Sequence, residues 1–229
     1  MHITLSARPH DLRLNVAQSA LLILDMPSGP ALADPLAAAV PGSAAEIDAI
    51  VPAVHRVLQA WRAWGALVVH ARTGGWVPTS DLSARGAMGA AWAQGPDDVQ
   101  GVHGVRVAEG ELRIAKPRQG AFYRTCLLEA LEVREVTQLV VVGAHAEAGV
   151  QTTLREAADR GFECLILADA VASARPAFTA ATLEMVQAPG GPSAWVAPSG
   201  ALLSAMSAGA WWPVHQPQVA AGAWLSGRR

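Results

Sequence analysis

Three strand-like segments in this sequence lead into groups that can move protons or hold charge. Ser19 to Asp25 reads SALLILD and closes on a carboxylate. Glu111 to Ala115 leads into Lys116 and then Pro117. Leu139 to Val142 closes on Gly143, and the turn that follows carries His145, Glu147 and Gly149. A carboxylate beside an ammonium group is held as the anion, and such a pair suits proton transfer to or from a bound molecule. The same two residues would also fit a strand-end Asp in a loop cap and a Lys in a surface ion pair. His145 adds an imidazole, which gives or takes a proton near neutral pH, or it is a turn residue satisfied by backbone. The N–H groups of Ala148 and Gly149 could serve as an oxyanion hole, and a glycine there allows close approach of a ligand. Glu147 is either a substrate contact or a residue that complements the helix dipole.

These groups need a frame that brings strand ends together. The segment Gln138 to Arg160 reads as that frame: a β-branched strand closed by Gly143, then a helix from Glu147 onward. Val150, Leu154, Ala157 and Ala158 form its apolar stripe, and Gly161 stops it. Further strands are expected at Ser19–Asp25, Leu67–Ala71, Glu111–Ala115, Phe162–Ala168 (ending at Asp169) and Ala194–Val196. Residues 1 to 18 read as an irregular lead-in.

Helical spacing runs from Ile47 to Trp64, with Pro52 expected in its first turn. Shorter helices are expected from Thr125, as cap, to about Glu135, over Phe178–Val186 and over Ser199–Met206. Six strands alternating with helices predict an α/β fold: one doubly wound domain with a six-stranded, mostly parallel sheet and helices on both faces. If the Asp25, Lys116 and His145 strands are neighbours, their groups meet at the carboxyl edge of the sheet. The domain is expected to span 1–207. Residues 208–229 form a tail with Trp211, Trp212 and Trp224, expected to pack on the body or to make a subunit contact.

Composition narrows the partners. The chain has 229 residues, 52% hydrophobic and 16% charged, with a formal net charge of -2. That supports a large core and, with no Lys/Arg cluster, argues against nucleic acid. No run approaches the roughly 20 apolar residues of a membrane helix, and the N-terminus has no signal-peptide core. The expectation is a cytoplasmic protein with a small-molecule substrate and no membrane partner. The two cysteines, Cys126 and Cys164, make neither a disulfide framework nor a zinc-ligand spacing. The connection from Arg72 to Gly110 is long and carries Trp76, as a lid or pocket-shaping loop would.

With SALLILDMP, IAKPRQGAF and VVVGAHAEAGVQTTLREAADRGFECLILADAVAS in view, the chain resembles the isochorismatase-like hydrolases, or cysteine hydrolase superfamily, from about residue 16 to 206. The resemblance implies a cofactor-free hydrolase, commonly a dimer or larger oligomer. It places the family's catalytic Asp on Asp25 and its Lys on Lys116. The position of the family's nucleophilic Cys falls on Gly149. One branch of the family, the true isochorismatases, also has Gly there. In that branch the Asp is thought to protonate a vinyl ether, and water completes hydrolysis to pyruvate and a cyclohexadiene acid.

This chain departs from the family at Pro27, where Gln is usual, and at Glu147, where Asn is usual. Its Ala144-His145 pair sits two places earlier than the isochorismatase Ala-His. Arg72 stands where such members carry a substrate-facing Gln, and an Arg there suits a substrate carboxylate in bidentate fashion. Trp76 is a further expected substrate contact. The segment after His70 lacks the His pair of the metal-binding members, so no metal is expected. Two other readings stay open: hydrolysis of a different C–O or C–N bond, and a member that has lost activity and serves in binding or assembly.

Overall fold

Six strands form one parallel sheet, in the spatial order Leu112–Lys116, Leu67–Thr73, Ser19–Leu24, Gln138–Ala144, Glu163–Ala172, Ala194–Ala197. The structure is a computed structural model, and it describes residues 2–26, 43–73, 105–173, 175–188 and 194–209. The sheet strands are β3 (Ser19–Leu24), β4 (Leu67–Thr73), β5 (Leu112–Lys116), β6 (Gln138–Ala144), β7 (Glu163–Ala172) and β8 (Ala194–Ala197). Every residue of β3 and β6 is buried. Both faces of a parallel sheet are covered by helices, which is why these strands are continuously apolar rather than alternating.

The helices sort to the two faces by their apolar stripes. α1 (Ser43–Ala63) packs Ile47, Ile50, Val54, Leu58 and Trp61 against Leu21, Ile23 and Val140. α5 (Ser199–Ala208) joins the same core through Leu202 and Met206. On the other face lie α2 (Leu127–Glu132), α3 (Gln151–Ala158) and α4 (Pro176–Gln187). Leu127, Leu154 and Val186 pack there against Ala20, Leu22, Val141 and Ile166. Each such side chain taken fully out of water is worth about 1.5–3 kcal/mol, and the stripes decide which face each helix takes.

Chain order reverses between β3 and β6. From β3 the chain winds outward through β4 to β5, and from β6 it winds the other way through β7 to β8. The carboxyl ends of β3 and β6 therefore flank a crevice at the switch point, where open α/β sheets bind their ligands.

Several expectations are corrected. Residues 2 to 15 are not irregular: β1 (His2–Leu5) and β2 (Leu12–Asn15) form an antiparallel pair whose alternate residues enter the core beside α1 and α5. Pro52 lies inside α1 rather than in its first turn, since the helix already begins at Ser43. A proline there forgoes one backbone hydrogen bond, and burial of the flanking Val51, Ala53 and Val54 offsets it. α2 stops at Glu132, short of Glu135, and Thr125 Oγ1 accepts from Leu127 N–H at 3.2 Å without being the formal cap residue.

β7 does not end at Asp169. It continues to Ala172 after an irregularity opposite Val141–Gly143. The Asp169 carboxylate instead accepts from Ser199 N–H and Oγ, both at 2.6 Å, and so caps α5. The Asp25, Lys116 and His145 strands are not all neighbours either, because β4 separates β3 from β5.

Candidate active site

Asp25 is the first residue beyond β3. Its N–H donates to Ala71 O at 2.9 Å, and its backbone is left-handed, with φ of 49°. Asp tolerates that region better than a bulky residue, and the turn aims the side chain back over the sheet edge. Asp25 Oδ1 accepts the N–H of Thr73, the last residue of β4, at 2.7 Å. Oδ2 accepts from Lys116 Nζ. Lys116 is the last residue of β5 and sits in register with Thr73. Its side chain is wholly buried, and the Asp25 side chain is only 10% exposed. Nζ also donates to Gln119 O at 3.0 Å. An ammonium group with no water must be matched by charge and acceptors, and these two oxygens supply both.

The other wall of the crevice is the turn after β6. Gly143 has φ of 130°, and a Cβ there would stand 2.0 Å from Leu24 O. Only glycine lets β6 run this close to the end of β3. His145 follows, buried and left-handed (φ 60°). A five-residue π turn, Ala146–Val150, then opens into α3. Single π turns concentrate at functional sites. This one sets Gly149 against the ion pair: a Cβ on Gly149 would stand 2.5 Å from Asp25 Oδ2 and 3.1 Å from Lys116 Nζ.

The structure thus brings Asp25, Lys116 and Gly149 into direct contact. His145 and Glu147 lie in the same turn, and Glu147 Oε2 is buried without a hydrogen-bond partner. Ala148 does not contribute its N–H to an oxyanion hole, because that N–H donates to His145 O at 2.9 Å. Arg72 is half-buried near the end of β4, opposite Ala115 of β5. Trp76 lies outside the described residues, as do 210–229 of the expected tail. Among the described residues no group of three or more His, Cys, Asp or Glu side chains is arranged to hold a metal ion.

Neither thiol is a hydrogen-bond partner of Asp25 or Lys116, whose bonds go to Thr73 N–H, to each other and to Gln119 O. Cys164 is the second residue of β7, in register with Leu139 and Ala194 at the opposite end of the sheet. Burial, with Glu163 beside it, pushes its thiol up to about 12. Cys126 is exposed, just ahead of α2.

Residues of the helix that follows the π turn hold the Lys116 loop in place. Ala121 N–H donates to Thr153 Oγ1 at 3.1 Å, and Phe122 N–H to Glu156 Oε2 at 3.0 Å, so α3 pins the chain that carries Gln119 O. Glu156 lies so close under Gly120 that a Cβ there would be 2.2 Å from Oε2. The TTLRE stretch read as one ordinary turn of amphipathic helix, and its period gave no sign of these tertiary bonds.

Comparison with known proteins identifies the family and the fold. Residues 19–197 match the family described as the Isochorismatase domain. The ureidoacrylate amidohydrolase RutB of Klebsiella pneumoniae subsp. pneumoniae is 27% identical over 194 residues, covering 77% of this chain and 82% of that protein. Among solved structures, an isochorismatase from Pseudomonas putida KT2440 superposes with a TM-score of 0.60 at 26% identity, covering 82% of this chain and 91% of that one. A cysteine hydrolase from Pseudomonas syringae pv. phaseolicola 1448A shares the fold, with a TM-score of 0.66 at 20% identity over 85% of this chain and 95% of that one.

Proposed function

The chain belongs to the isochorismatase family of hydrolases, and from that premise we propose that it hydrolyses a small anionic substrate with no covalent enzyme intermediate, Asp25 acting as the proton donor. The observation that carries this reading is the contact geometry at Gly149. The resemblance puts the family's nucleophilic Cys at this position, and here the space that a side chain would fill is taken by Asp25 Oδ2 and Lys116 Nζ. A nucleophile must lie within hydrogen-bond reach of its base, but the Asp25 carboxylate is bonded to Thr73 N–H and Lys116 Nζ rather than to a thiol, and Cys164 lies at the opposite end of the sheet.

A buried, hydrogen-bonded Asp–Lys pair is suited to general acid chemistry. The pair holds one acidic proton between two basic sites. Lys116 can pass it along the hydrogen bond to Asp25, which delivers it to the substrate, leaving the lysine neutral and the carboxylate anionic. With a vinyl ether as substrate, the proton goes to the terminal carbon and the ether oxygen stabilises the resulting cation. Water adds to that cation, and the hemiketal collapses to pyruvate and an alcohol. The proton released by the added water restores the pair. Arg72 is proposed to hold a substrate carboxylate, and Trp76 to cover it.

A second reading is favoured by the 27% identity to ureidoacrylate amidohydrolase. In it Asp25 works as a base on water, which attacks a C–N bond. The test is pyruvate release from isochorismate and ammonia release from ureidoacrylate by the purified chain, each with an Asp25→Asn control. Pyruvate release that the control abolishes supports the first reading. Ammonia release alone transfers the assignment to the second.

A further inference from the structure

Lys116 is the only lysine in the chain, and every other of its 17 basic residues is an arginine. Arginine supplies charge and hydrogen bonds but does not give up its proton in a protein, whereas lysine can. The pair with Asp25 therefore uses the one basic side chain of this type that is able to pass a proton on. Two oxygens hold its wholly buried Nζ: Asp25 Oδ2, and Gln119 O at 3.0 Å. Gln119 belongs to residues 117–126, which form neither helix nor strand. Among the described residues, the backbone of that stretch makes one bond within itself, Thr125 N–H to Phe122 O at 3.4 Å. A carbonyl on such a loop stays in place only if something outside the loop holds it.

The chain from the π turn into α3 does so from one face. Gly149, Thr153 and Glu156 follow one another at four- and three-residue spacing, and all three meet the loop. A Cβ on Gly149 would stand 3.6 Å from Gln119 O. Thr153 Oγ1 accepts the Ala121 N–H at 3.1 Å, and both residues are fully buried. Glu156 Oε2 accepts the Phe122 N–H at 3.0 Å. Gly120 has no Cβ to keep that carboxylate away: one would stand 2.2 Å from Oε2 and 2.4 Å from Oε1. Each of the three residues after Gln119 is thus clasped by α3. Gln119 O itself borders the Gly149 position, where Asp25 Oδ2 and Lys116 Nζ also stand.

We propose that Thr153 and Glu156 are positioning residues for the proton transfer: through the backbone of residues 120–122 they hold Gln119 O, and Gln119 O holds Lys116 Nζ against Asp25. This rests on the reading of the Asp25–Lys116 pair as the proton donor. The bonds of Thr153 and Glu156 go to the loop, so their effect on the reaction passes through Lys116.

Steady-state kinetics and side-chain NMR of the full chain test this. Thr153→Val keeps the shape and removes the acceptor, while Thr153→Ser keeps the acceptor. Glu156→Ala removes its acceptor, while Glu156→Gln keeps an oxygen. The Val and Ala variants should lower kcat about ten- to a hundredfold, the scale of a roughly 1 Å misplacement, with KM within about twofold of native. The Ser and Gln variants should recover most of the native rate. Protein grown on isotope-labelled lysine gives a single lysine side-chain resonance, that of Lys116. It should move in the Val and Ala variants and keep its native position in the Ser and Gln variants. A Val or Ala variant with native kcat, or one whose kcat falls while the resonance stays, overturns the proposal. So does a loss confined to KM, which would make the loop a substrate contact. If the Val and Ala variants fail to fold, Gly120→Ala takes their place, since it displaces only the end of the Glu156 side chain. The same two changes are expected there, and a native kcat overturns the proposal. The resonance is read without turnover. A chain that shows the resonance pattern but turns over neither isochorismate nor ureidoacrylate keeps this support of Lys116 and loses the proposed chemistry. One that turns over isochorismate at the native rate in every variant does the reverse.

Discussion

Lys116 and Asp25 come from strands that do not touch, and they meet over the end of the strand between them. β5 and β3 lie on either side of β4, about 9–10 Å apart at ordinary strand spacing. The gap is closed from both sides. Asp25 leans out to accept the Thr73 N–H, and the long Lys116 side chain crosses the same residue to reach Oδ2. A shorter cation on β5 would not span it. Thr73 N–H and Gln119 O are thus as much part of the site as the two charges.

Removing the charge and removing the acceptor at position 25 should have different consequences. Asp25→Asn keeps an oxygen for Thr73 N–H, and we expect a folded chain with turnover reduced by about 10²–10⁴. Asp25→Leu leaves the fully buried Lys116 ammonium group unmatched, which should cost about 3–5 kcal/mol of stability. Steady-state rates and urea unfolding of both variants check this. A fully active Asn variant would remove Asp25 from the chemistry.

Restoring a thiol should not restore a cysteine hydrolase. The Cβ of Gly149→Cys would stand 2.5 Å from Asp25 Oδ2 and 3.1 Å from Lys116 Nζ, so the ion pair must shift before any thiolate can form beside it. The expected outcome for Gly149→Ala and Gly149→Cys alike is a loss of turnover of about tenfold or more, the scale of a roughly 1 Å misplacement. Mass spectrometry after mixing Gly149→Cys with substrate should find no acyl-enzyme. A trapped thioester would mean that the crevice adapts to the side chain.

What could be read from the sequence followed from local pattern. β-branched runs closed by Gly143 and Asp25 marked β6 and β3. The Ile47-to-Trp61 stripe marked α1, and motif order placed Asp25, Lys116 and Gly149 in one crevice. What could not be read depends on tertiary neighbours. Strand order is not written in any one strand, so the interposition of β4 stayed hidden. β1 and β2 are four residues each, too short for their alternation to stand out from loop. The bonds from Thr153 and Glu156 to the Lys116 loop arise where α3 meets its neighbours. An isolated helix period carries no information about such contacts.

Thiol chemistry offers an independent check on mechanism. Cys126 is exposed and should react with iodoacetamide. Cys164 is buried with its thiol raised to about 12, so it should stay unmodified in the native chain, the thiolate being the reactive form. Peptide mapping should therefore show one alkylated cysteine and unchanged turnover. Loss of activity in step with labelling of Cys126 would count against a thiol-free reaction. Because the Cys164 value is raised, its contribution to stability is fully present below the ordinary value of 9.0 and is lost as pH rises towards 12.

Glu111 should govern behaviour in acid. Burial, the largest single influence, pushes its carboxyl up, but hydrogen bonds from His70, Arg62 and the Ala108 N–H, with the charge of His70 added, outweigh it in sum. Together they hold it down at about 2, against an ordinary 4.5. The bonds are direct: Arg62 Nε to Oε1 at 2.7 Å, His70 Nε2 to Oε2 at 2.9 Å and Ala108 N–H to Oε2 at 2.7 Å. They tie the end of α1 and the middle of β4 to the entry of β5, the strand that carries Lys116. A carboxyl depressed on folding contributes stability above its unfolded value, and loses it as pH falls from about 4.5 towards 2. Glu111→Gln should lower the melting temperature by roughly 3–8 °C at pH 7. The gap between variant and native chain should shrink steadily between pH 4.5 and the lowest pH at which both remain folded. Calorimetric melts across that range decide it: a gap that stays constant with pH would show that the network acts through packing rather than through the charge on Glu111.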